Sequence, residues 1–343
     1  MIRFNSDYCE GAHERILKKL AETNLEQTAG YGEDPYCKEA ADIIRGLCGQ
    51  PEADVHFLVG GTQANMTVIG AALRPYQGAV SADTGHINVH ETGAVESLGH
   101  KVLALPSEDG KIRADQVAAL WKSHVEDESF EHMVQPGLVY ISQPTELGTL
   151  YTADELKEMY RVCTECGLYL FVDGARLGYG LAAEGNDVDL QLLAAHCDVF
   201  YIGGTKVGAL FGEAVVILNP ALKKDFRYMI KQKGGMLAKG RLLGIQFGEL
   251  LRDGLYQELG AHADRLADQI RQACREKGYP FLVENTTNQV FPILPDSLLE
   301  RWQGQIGYNF QEKVDAEHTA VRLCTSWATT TEQTEALVRA IRG

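Results

Sequence analysis

Short apolar runs alternate with amphipathic segments along the first 220 residues of the chain. The runs at 138–142, 168–173 and 199–202 carry no charge before their last position. Continuous apolar runs of this length are typical of strands buried on both faces of a parallel sheet. Between them, apolar residues recur at helical spacing, as in 10–25 and 152–166. The alternation predicts an α/β domain built around a mainly parallel sheet.

Further elements follow from the same two periodicities. Strands are predicted at 53–59, 79–81, 101–105 and 214–218, and helices at 36–48, 66–73, 114–125 and 255–277. The segment 222–251 is predicted to be mostly helical, with an interruption at Gly234 and Gly235. Near the carboxyl terminus the order changes, with strands predicted at 281–284, 290–294 and 321–326 and helices at 296–303 and 331–342. We therefore expect an irregular arm at 1–15, a large domain at 16–244 and a small α+β domain at 245–343.

Composition is consistent with a folded, acidic protein. Of the 343 residues, 45% are hydrophobic, which provides ample material for a core, and the formal net charge is −15. An acidic balance argues against nucleic acid or an anionic membrane as a partner. No apolar run approaches the length of a membrane span, and the first 20 residues lack the apolar segment of a secretory signal.

Eight cysteines are scattered along the chain, as expected for reduced thiols in the cytoplasm. Cys163 and Cys166 form a CxxC pair, for which a redox or zinc role is one interpretation. No second such pair and no suitably spaced histidine pair accompanies them, which favours a structural role, and no metal site is expected.

One lysine lies in a turn between two apolar strands. The segment 198–218, DVFYIGGTKVGALFGEAVVIL, is typical of strand, glycine-rich turn and strand, with Lys206 in the turn. A lysine held in dry surroundings has a lowered pKa, so its amine becomes a nucleophile that can form a Schiff base. The alternative is an ordinary surface lysine in a turn.

An aspartate follows a second buried strand. Asp173 ends the run LYLFVD and is followed by Gly174, Ala175 and Arg176. Ligands of open α/β sheets bind beyond the carboxyl ends of strands, where this carboxylate could pair with the pyridine nitrogen of pyridoxal 5'-phosphate (PLP). The alternative is a helix N-cap.

A glycine-rich turn, GGTQAN, follows the strand at 53–59. Free N–H groups at a helix N-terminus attract phosphate, and the Thr62 hydroxyl adds a donor. The turn is neither a Walker loop nor a GxGxxG fingerprint, which counts against nucleotides. An ordinary turn between strand and helix is the alternative.

Two further polar segments follow predicted strands. His86, in GHINVHETG, could stack on an aromatic cofactor, or it could be a hydrogen-bonded structural histidine. The strand at 138–142 ends in QPTELGT, which includes Glu146, and again points to the carboxyl edge of the sheet.

Seven motifs in this order, SD, YGEDP, GGTQAN, GHINVHETG, VDGAR, GGTK and VRLCTSW, give the chain a family likeness from Ser6 to Trp327. Together they resemble the low-specificity L-threonine aldolases, fold-type I PLP enzymes of the β-eliminating lyase group. The resemblance implies a PLP-binding large domain of transferase-like fold. It also implies retro-aldol cleavage of L-threonine or L-allo-threonine to glycine and an aldehyde, hence a place in threonine breakdown and glycine formation.

The resemblance assigns six residues to the cofactor, and one of them, Arg176, also to the substrate. It implies that Lys206 forms the Schiff base with PLP and that Asp173 pairs with the pyridine nitrogen. Gly61 and Thr62 match the phosphate cradle, and His86 matches the histidine that stacks on the ring.

Other matched residues concern the substrate and the oligomer. Arg176 and Arg322 match arginines that hold the substrate carboxylate and orient the site, and Ser6, in the N-terminal arm, matches a serine that contacts the same carboxylate. Tyr31 matches a tyrosine that reaches the neighbouring subunit's site. The family is usually a tetramer, a dimer of dimers with shared active sites.

The chain departs from the family pattern at two places. Many members carry a histidine in the turn that here reads QPTE, which makes Glu146 a candidate replacement at the β-hydroxyl. Many members also carry a phosphate-binding arginine after GGGM, where this chain has Leu237. Lys239, Arg241 or another nearby base is a candidate for that contact.

Several functional questions stay open at the level of sequence. The base that takes the β-hydroxyl proton could be His86, Glu146 or a water held by either. An aldolase for phenylserine-type substrates, another PLP β-eliminating lyase and a non-catalytic PLP-binding protein are alternative functions. The preference between threo and erythro substrates at Cβ and the physiological substrate depend on the geometry of the pocket, and the oligomeric state depends on the geometry of the interface.

Overall fold

The structure, a computed structural model, describes residues 1–343. Its strands are β1 (Ile2–Arg3), β2 (Asp54–Leu58), β3 (Gln77–Ala82), β4 (Val102–Leu105), β5 (Gln135–Ser142), β6 (Tyr169–Asp173), β7 (Val199–Gly203), β8 (Glu213–Ile217), β9 (Gln289–Val290), β10 (Ile293–Pro295), β11 (Ile306–Gly307), β12 (Asn309–Lys313) and β13 (His318–Cys324).

The helices connect these strands. They are α1 (Glu14–Glu22), α2 (Pro35–Cys48), α3 (Gly61–Ala72), α4 (His86–Val89), α5 (Ala114–Glu126), α6 (Ala153–Cys166), α7 (Leu177–Ala182), α8 (Leu190–Ala195), α9 (Pro220–Lys223), α10 (Phe226–Gln232), α11 (Arg241–Leu251), α12 (Leu255–Glu276), α13 (Asp296–Trp302) and α14 (Thr331–Arg342). No helix is long and apolar enough to span a membrane.

A seven-stranded sheet in the order β2-β8-β7-β6-β5-β3-β4 forms the centre of the molecule. Its neighbours pair in parallel except where β8 pairs with β7 and β2, so β8 alone runs against the other six strands. The carboxyl ends of those six strands therefore share one edge of the sheet with the amino end of β8. This arrangement confirms the mainly parallel α/β sheet expected from the sequence.

Both faces of this sheet are covered, which explains why its strands are continuous apolar runs. Along β6, Leu170 and Val172 pack in one core and Phe171 packs in the other. The first core lies against helices that include α2, α6 and α11, and the second lies against α3 and α10.

A smaller antiparallel sheet occupies the carboxyl-terminal part, as predicted. β13 pairs with β9, β10 and β12, and a third core joins β9, β10 and β13 to α13, α14 and the second half of α12. The prediction of an irregular amino-terminal arm was wrong at its start, because β1 pairs in parallel with β11 and Phe4 is fully buried in this third core. A two-residue strand carries too little periodicity to be found from sequence.

Other elements also differ from the prediction, and the segment predicted as mostly helical at 222–251 is divided among α9, α10 and α11. Residues 281–284 form no strand and make only an isolated bridge between Phe281 and Pro292. The helix predicted from 66 begins at Gly61, because GGTQAN is its first turn rather than a loop before it. Helix α6 begins with a capping box: Thr152 Oγ1 accepts from the Glu155 amide at 3.2 Å and Glu155 Oε2 accepts from the Thr152 amide at 2.8 Å.

The predicted domain boundary at 245 falls inside α11. Phe247 and Leu250 of that helix pack in the first core, as does Ala263 of α12, whereas Ala267 packs in the third core. The packing therefore changes along α12, and the division into domains stays a prediction.

The CxxC pair lies on α6, and all eight cysteines are unpaired thiols. Cys163 is fully buried in the first core, and burial raises the pKa of its thiol. An inert, packed thiol fits the structural interpretation.

Asp264 on α12 is buried, and neither of its carboxylate oxygens has a hydrogen-bond partner. Burial raises the pKa of Asp264 to about 9, far above the ordinary value of about 4. Between those values the folded protein holds a proton that the unfolded chain releases, so stability falls as pH rises through this window.

We expect Asp264→Asn, which stays neutral in both states, to stabilise the fold by about 2 kcal/mol or more at pH 8. The gain should shrink towards pH 4 in urea unfolding series. Asp154→Asn at an exposed position should show no such pH dependence. A gain for Asp264→Asn that is constant with pH would contradict a buried, protonated acid.

Candidate active site

A cavity of about 310 Å³ lies at the edge of the sheet where the six like-oriented strands end. Seven residues singled out in the sequence line it: Gly61, Thr62, His86, Glu146, Asp173, Arg176 and Lys206. They come from five separate stretches of chain, which the sheet topology brings together. Ser6, Tyr31 and Arg322 do not line this cavity.

Lys206 lies in the turn between β7 and β8, and its amine has neither a hydrogen bond nor an ion pair. Tyr179 donates a hydrogen bond to the Lys206 carbonyl at 2.5 Å and so holds the turn. Burial and then the charge of Arg176 lower the pKa of the Lys206 amine. Both effects favour the neutral, nucleophilic form.

Three donors hold the buried carboxylate of Asp173 at the end of β6. Tyr140 Oη donates to Oδ2 at 2.5 Å, Asn65 Nδ2 donates to the same oxygen at 3.3 Å, and the Ala175 amide donates to Oδ1 at 2.9 Å. The carboxylate is therefore fixed in orientation at the wall of the cavity.

A buried network connects His86 to Asp173. Glu91 Oε1 lies 2.7 Å from His86 Nδ1 and accepts a hydrogen bond from Asn65 Nδ2, also at 2.7 Å. The same Asn65 amide donates to Asp173, so one side chain links the two groups. Because a carboxylate only accepts, Nδ1 carries the proton in this pair, which fixes the ring orientation and leaves Nε2 available.

Glu146 projects into the cavity from the turn after β5. Its Oε1 accepts hydrogen bonds from Ser142 Oγ at 2.7 Å and from the His86 amide at 2.9 Å, whereas Oε2 has no hydrogen-bond partner. Burial, and to a smaller extent the charge of Asp173, raises the pKa of Glu146. A raised pKa makes this carboxyl a stronger proton acceptor than an ordinary glutamate.

The amino-terminal turn of α3 supplies unpaired N–H groups to the other end of the cavity. A Cβ on Gly61 would stand 3.1 Å from Tyr201 Oη, so a larger residue would crowd this turn. Tyr201 Oη is itself buried without a hydrogen-bond partner. Helix N-terminal amides beside an unpartnered hydroxyl form a suitable cradle for phosphate.

The functional groups that line the cavity fit PLP. The free Lys206 amine matches the cofactor's aldehyde, the Asp173 carboxylate matches its ring nitrogen, and the amides of Gly61 and Thr62 match its phosphate. The unpartnered hydroxyl of Tyr201 is a buried polar group that a ligand would satisfy.

Arg176 is already paired. Its Nε and Nη2 donate to the two carboxylate oxygens of Asp7 at 2.7 and 3.0 Å, and Asn288 donates to Asp7 at 2.9 Å. Burial raises the pKa of Asp7, but the charge and hydrogen bonds of Arg176 outweigh this effect and lower it to about 2. Arg176 lines the cavity as half of a buried ion pair rather than as a free cation.

We expect Asp7→Asn to lower the free energy of unfolding by about 3 kcal/mol, because it leaves the buried Arg176 charge unpaired. Since the pKa of Asp7 lies below its ordinary value of about 4, wild-type protein should lose this stabilisation as pH falls from about 4 to 2. Urea unfolding at neutral and acidic pH measures both effects.

The exposed pair between Arg15 and Asp253, at 3.2 Å, provides the control. Asp253→Asn should change stability by less than about 0.5 kcal/mol. Equal losses for the two variants would mean that burial adds nothing to the Asp7–Arg176 pair.

Arg322, on β13, is held loosely. Its guanidinium contacts Gln289 Oε1 at 3.4 Å and the Asn5 carbonyl at 3.5 Å, and its Nε is buried without a partner. Ser6 follows Asn5 in the amino-terminal arm, and its hydroxyl lies 3.2 Å from Cys9 Sγ. Arg322 therefore retains more unused hydrogen-bonding capacity than Arg176.

Tyr31 lies away from the cavity in this chain. It is half exposed and has φ of 60°, and the Lys231 ammonium lies 5.2 Å from the centre of its ring. Arg241 donates to two backbone carbonyls of the loop before α2, and neither it nor Lys239 lines the cavity. Roles for these residues towards a neighbouring subunit or the phosphate stay predictions.

Four residues that support the site were not predicted: Asp7, Asn65, Glu91 and Tyr140. Three of them lie inside motifs already singled out, SD, GGTQAN and GHINVHETG, where a buried polar side chain was the available signal. Tyr140 lies in an apolar run and shares a face of β5 with Ser142, a spacing that could have indicated it.

The fold and the site together define the class of fold-type I PLP-dependent enzymes. An aspartate aminotransferase of Thermus thermophilus, 16% identical, superposes with a TM-score of 0.73 over 99% of this chain and 95% of that chain, and establishes the fold alone. Residues 4–297 match the model of the β-eliminating lyase family, and the chain belongs to that family.

Individual relatives agree with this family. A solved threonine aldolase of Leishmania major is 43% identical, with a TM-score of 0.97 over 100% of this chain and 99% of that chain. The low-specificity L-threonine aldolase of Pseudomonas aeruginosa is 31% identical over 99% of this chain and 97% of the relative, and that of Saccharomyces cerevisiae is 27% identical over 82% and 74%. The family resemblance, the fold class and the assignment as a lyase are confirmed.

Proposed function

We propose that this chain is a PLP-dependent aldolase that cleaves L-threonine or L-allo-threonine to glycine and acetaldehyde. The observation that carries the proposal is one cavity holding the unpartnered Lys206 amine and the triply bonded Asp173 carboxylate. Relatives named as threonine aldolases over nearly the full length support the choice of substrate.

PLP, when bound, supplies an aldehyde for covalent attachment and a ring that accepts the electron pair of the breaking Cα–Cβ bond. Lys206 provides the amine for that attachment. Asp173 would keep the ring nitrogen protonated, and the amides of Gly61 and Thr62 would hold the phosphate. His86, which Glu91 orients through Nδ1, is the residue that we assign to stack on the cofactor ring.

Glu146 is the base that we assign to the β-hydroxyl. Its Oε2 is free of protein partners, and burial raises the pKa of its carboxyl, which makes it a stronger base. It takes the hydroxyl proton as the O–H electron pair forms the carbonyl of the departing aldehyde. Ser142 and the His86 amide keep Oε1 in place during the transfer.

Arg322 is the arginine that we assign to the substrate carboxylate. Its weak contacts at 3.4 and 3.5 Å leave the planar guanidinium available for two parallel hydrogen bonds. Arg176, which already pairs with Asp7, instead holds the arm that carries Ser6. The proposal also includes a contact of Ser6 with the substrate carboxylate. It places Tyr31 at the active site of a neighbouring subunit, in a dimer of dimers located in the cytoplasm.

Acetaldehyde and glycine release from PLP-loaded protein tests this function, with L-threonine and L-allo-threonine supplied separately. Equal amounts of both products support the aldolase and reveal its preference at Cβ. Ammonia with a keto acid would instead indicate β-elimination, and benzaldehyde from phenylserine alone would indicate an aryl substrate. Bound cofactor without turnover of any of these would leave only a PLP-binding protein.

A further inference from the structure

Glu213 occupies an unusual position in the sheet. It is the first residue of β8, the one strand that runs against the others, so it lies at the edge where the remaining strands end. On one side it pairs with Gly203, which leads to Lys206, and on the other with Leu58, which leads to Gly61. Its side chain therefore stands between the lysine turn and the amino terminus of α3.

The contacts of this carboxyl are incomplete. Oε1 accepts a hydrogen bond from Thr205 Oγ1 at 3.0 Å, and the same hydroxyl accepts from the Gly212 amide at 3.0 Å. Oε2 is fully buried and has no hydrogen-bond partner. Glu213 also lines the cavity together with Lys206 and Thr62. A buried oxygen without a partner, in the wall of a ligand cavity, is a group that a ligand would complete.

The groups around Glu213 determine its charge. Burial raises the pKa of Glu213 to about 8, the charge of Lys206 acts in the opposite direction, and the charge of Asp173 adds to the rise. Tyr201 on β7 and Tyr256 on α12 also lie close enough for its charge to raise the pKa of their hydroxyls. The carboxyl is thus protonated at neutral pH and ionises in mildly alkaline solution.

The phosphate end of the cavity has few cations. Arg176 and Lys206 are the only arginine and lysine that line it, and Arg176 is neutralised by Asp7. A phosphate dianion at the amino terminus of α3 would be repelled by an ionised Glu213 at close range. A neutral carboxylic acid in the same place has an O–H to donate.

We propose that Glu213 is a cofactor-binding residue, which donates a hydrogen bond to the phosphate of PLP as a neutral acid and weakens phosphate binding when it ionises. The inference rests on the proposed function, because it requires PLP in this cavity. It gives the site a phosphate donor from within the same chain where the sequence lacks the family's arginine. It also makes cofactor retention sensitive to alkaline pH.

The test compares two ligands that differ only in the phosphate. Dissociation constants of PLP and pyridoxal are measured from about pH 6.5 to 9.5 for wild type and for Glu213→Gln, whose amide stays neutral and keeps an N–H donor. Between the two ends of this range, wild type should lose about tenfold more PLP affinity than the variant, a difference of about 1.4 kcal/mol. For pyridoxal the two proteins should differ by less than about twofold.

Asp264→Asn is the matched control, because Asp264 is another buried acid with an upward-shifted pKa that lies outside the cavity. It should leave the pH dependence of PLP binding as in wild type. An identical pH dependence for Glu213→Gln and wild type would overturn the proposal. The proposal would also be overturned if Glu213→Gln altered the pH dependence of pyridoxal binding as much as that of PLP binding. Glu213 would then act on Lys206 rather than on the phosphate.

A second measurement needs no variant and covers the case in which Glu213→Gln fails to fold. Calorimetry of wild-type protein at about pH 9, in two buffers of different ionisation enthalpy, should show nearly one more proton taken up with PLP than with pyridoxal. Equal proton uptake for the two ligands would contradict the inference. Absence of PLP binding to wild type would overturn the proposed function instead.

Discussion

Lys206→Ala should lower threonine cleavage by about a thousandfold or more and abolish covalent attachment of the cofactor. The amine lines the cavity without a protein partner, and its lowered pKa keeps it reactive. Alanine removes both the attachment and the group that releases product. Single-turnover kinetics and the visible absorbance of the lysine-bound cofactor measure the two effects.

Lys224→Ala is the control, since Lys224 is an exposed lysine that lies outside the cavity. It should keep activity within about twofold of wild type. Turnover of Lys206→Ala near the wild-type rate, with the protein folded, would remove the central assignment of the site.

Asp173→Asn should reduce turnover by about a thousandfold while the variant still binds cofactor. The neutral amide cannot keep the ring nitrogen protonated, so the ring becomes a poorer acceptor of the electron pair from the breaking bond. Tyr140 and Asn65 donate to the carboxylate, and they would face an amide that accepts less well. The loss should appear in kcat rather than in cofactor affinity.

An exposed aspartate separates this effect from general damage. Asp154→Asn, at a largely exposed position on α6, should leave kcat unchanged. Melting temperatures of both variants show whether the fold survives. If Asp173→Asn kept wild-type kcat, the carboxylate would serve only the packing of the β6 turn.

The buried pair of Asp7 and Arg176 connects three parts of the chain at the site. Asp7 belongs to the amino-terminal arm, Arg176 follows β6 of the large sheet, and Asn288, which also donates to Asp7, precedes β9 of the smaller sheet. The ion pair fixes the arm between the two sheets. Arg322 on β13 approaches the same arm through the Asn5 carbonyl, so the substrate end of the proposed site lies where these parts meet.

Sequence by itself determined the large sheet and indicated the groups that we propose for the cofactor. The apolar strands of the large sheet stand out because both of their faces are buried, and each ends at a polar or glycine-rich segment. Lys206, Asp173 and Gly61 lie within a few residues of such strand ends. Their chemistry depends on this local setting, which the order of residues already specifies.

Tertiary structure alone decided how those groups are supported. Asp7 and Arg176 form a pair although 169 positions separate them in the chain. Asn65 donates to both Glu91 and Asp173, and Asp173 is 108 positions away from it. Such contacts follow from which strands become neighbours in the sheet, and no local pattern encodes that.

The reversed direction of β8 is the clearest case. It places Glu213 beside the turn that begins α3, although more than 150 residues separate the two in the chain. The sequence around Glu213 is that of an ordinary strand start after a glycine turn. Its burial and its unpartnered oxygen arise only when β2 and β7 enclose it, because desolvation depends on all the neighbours in space.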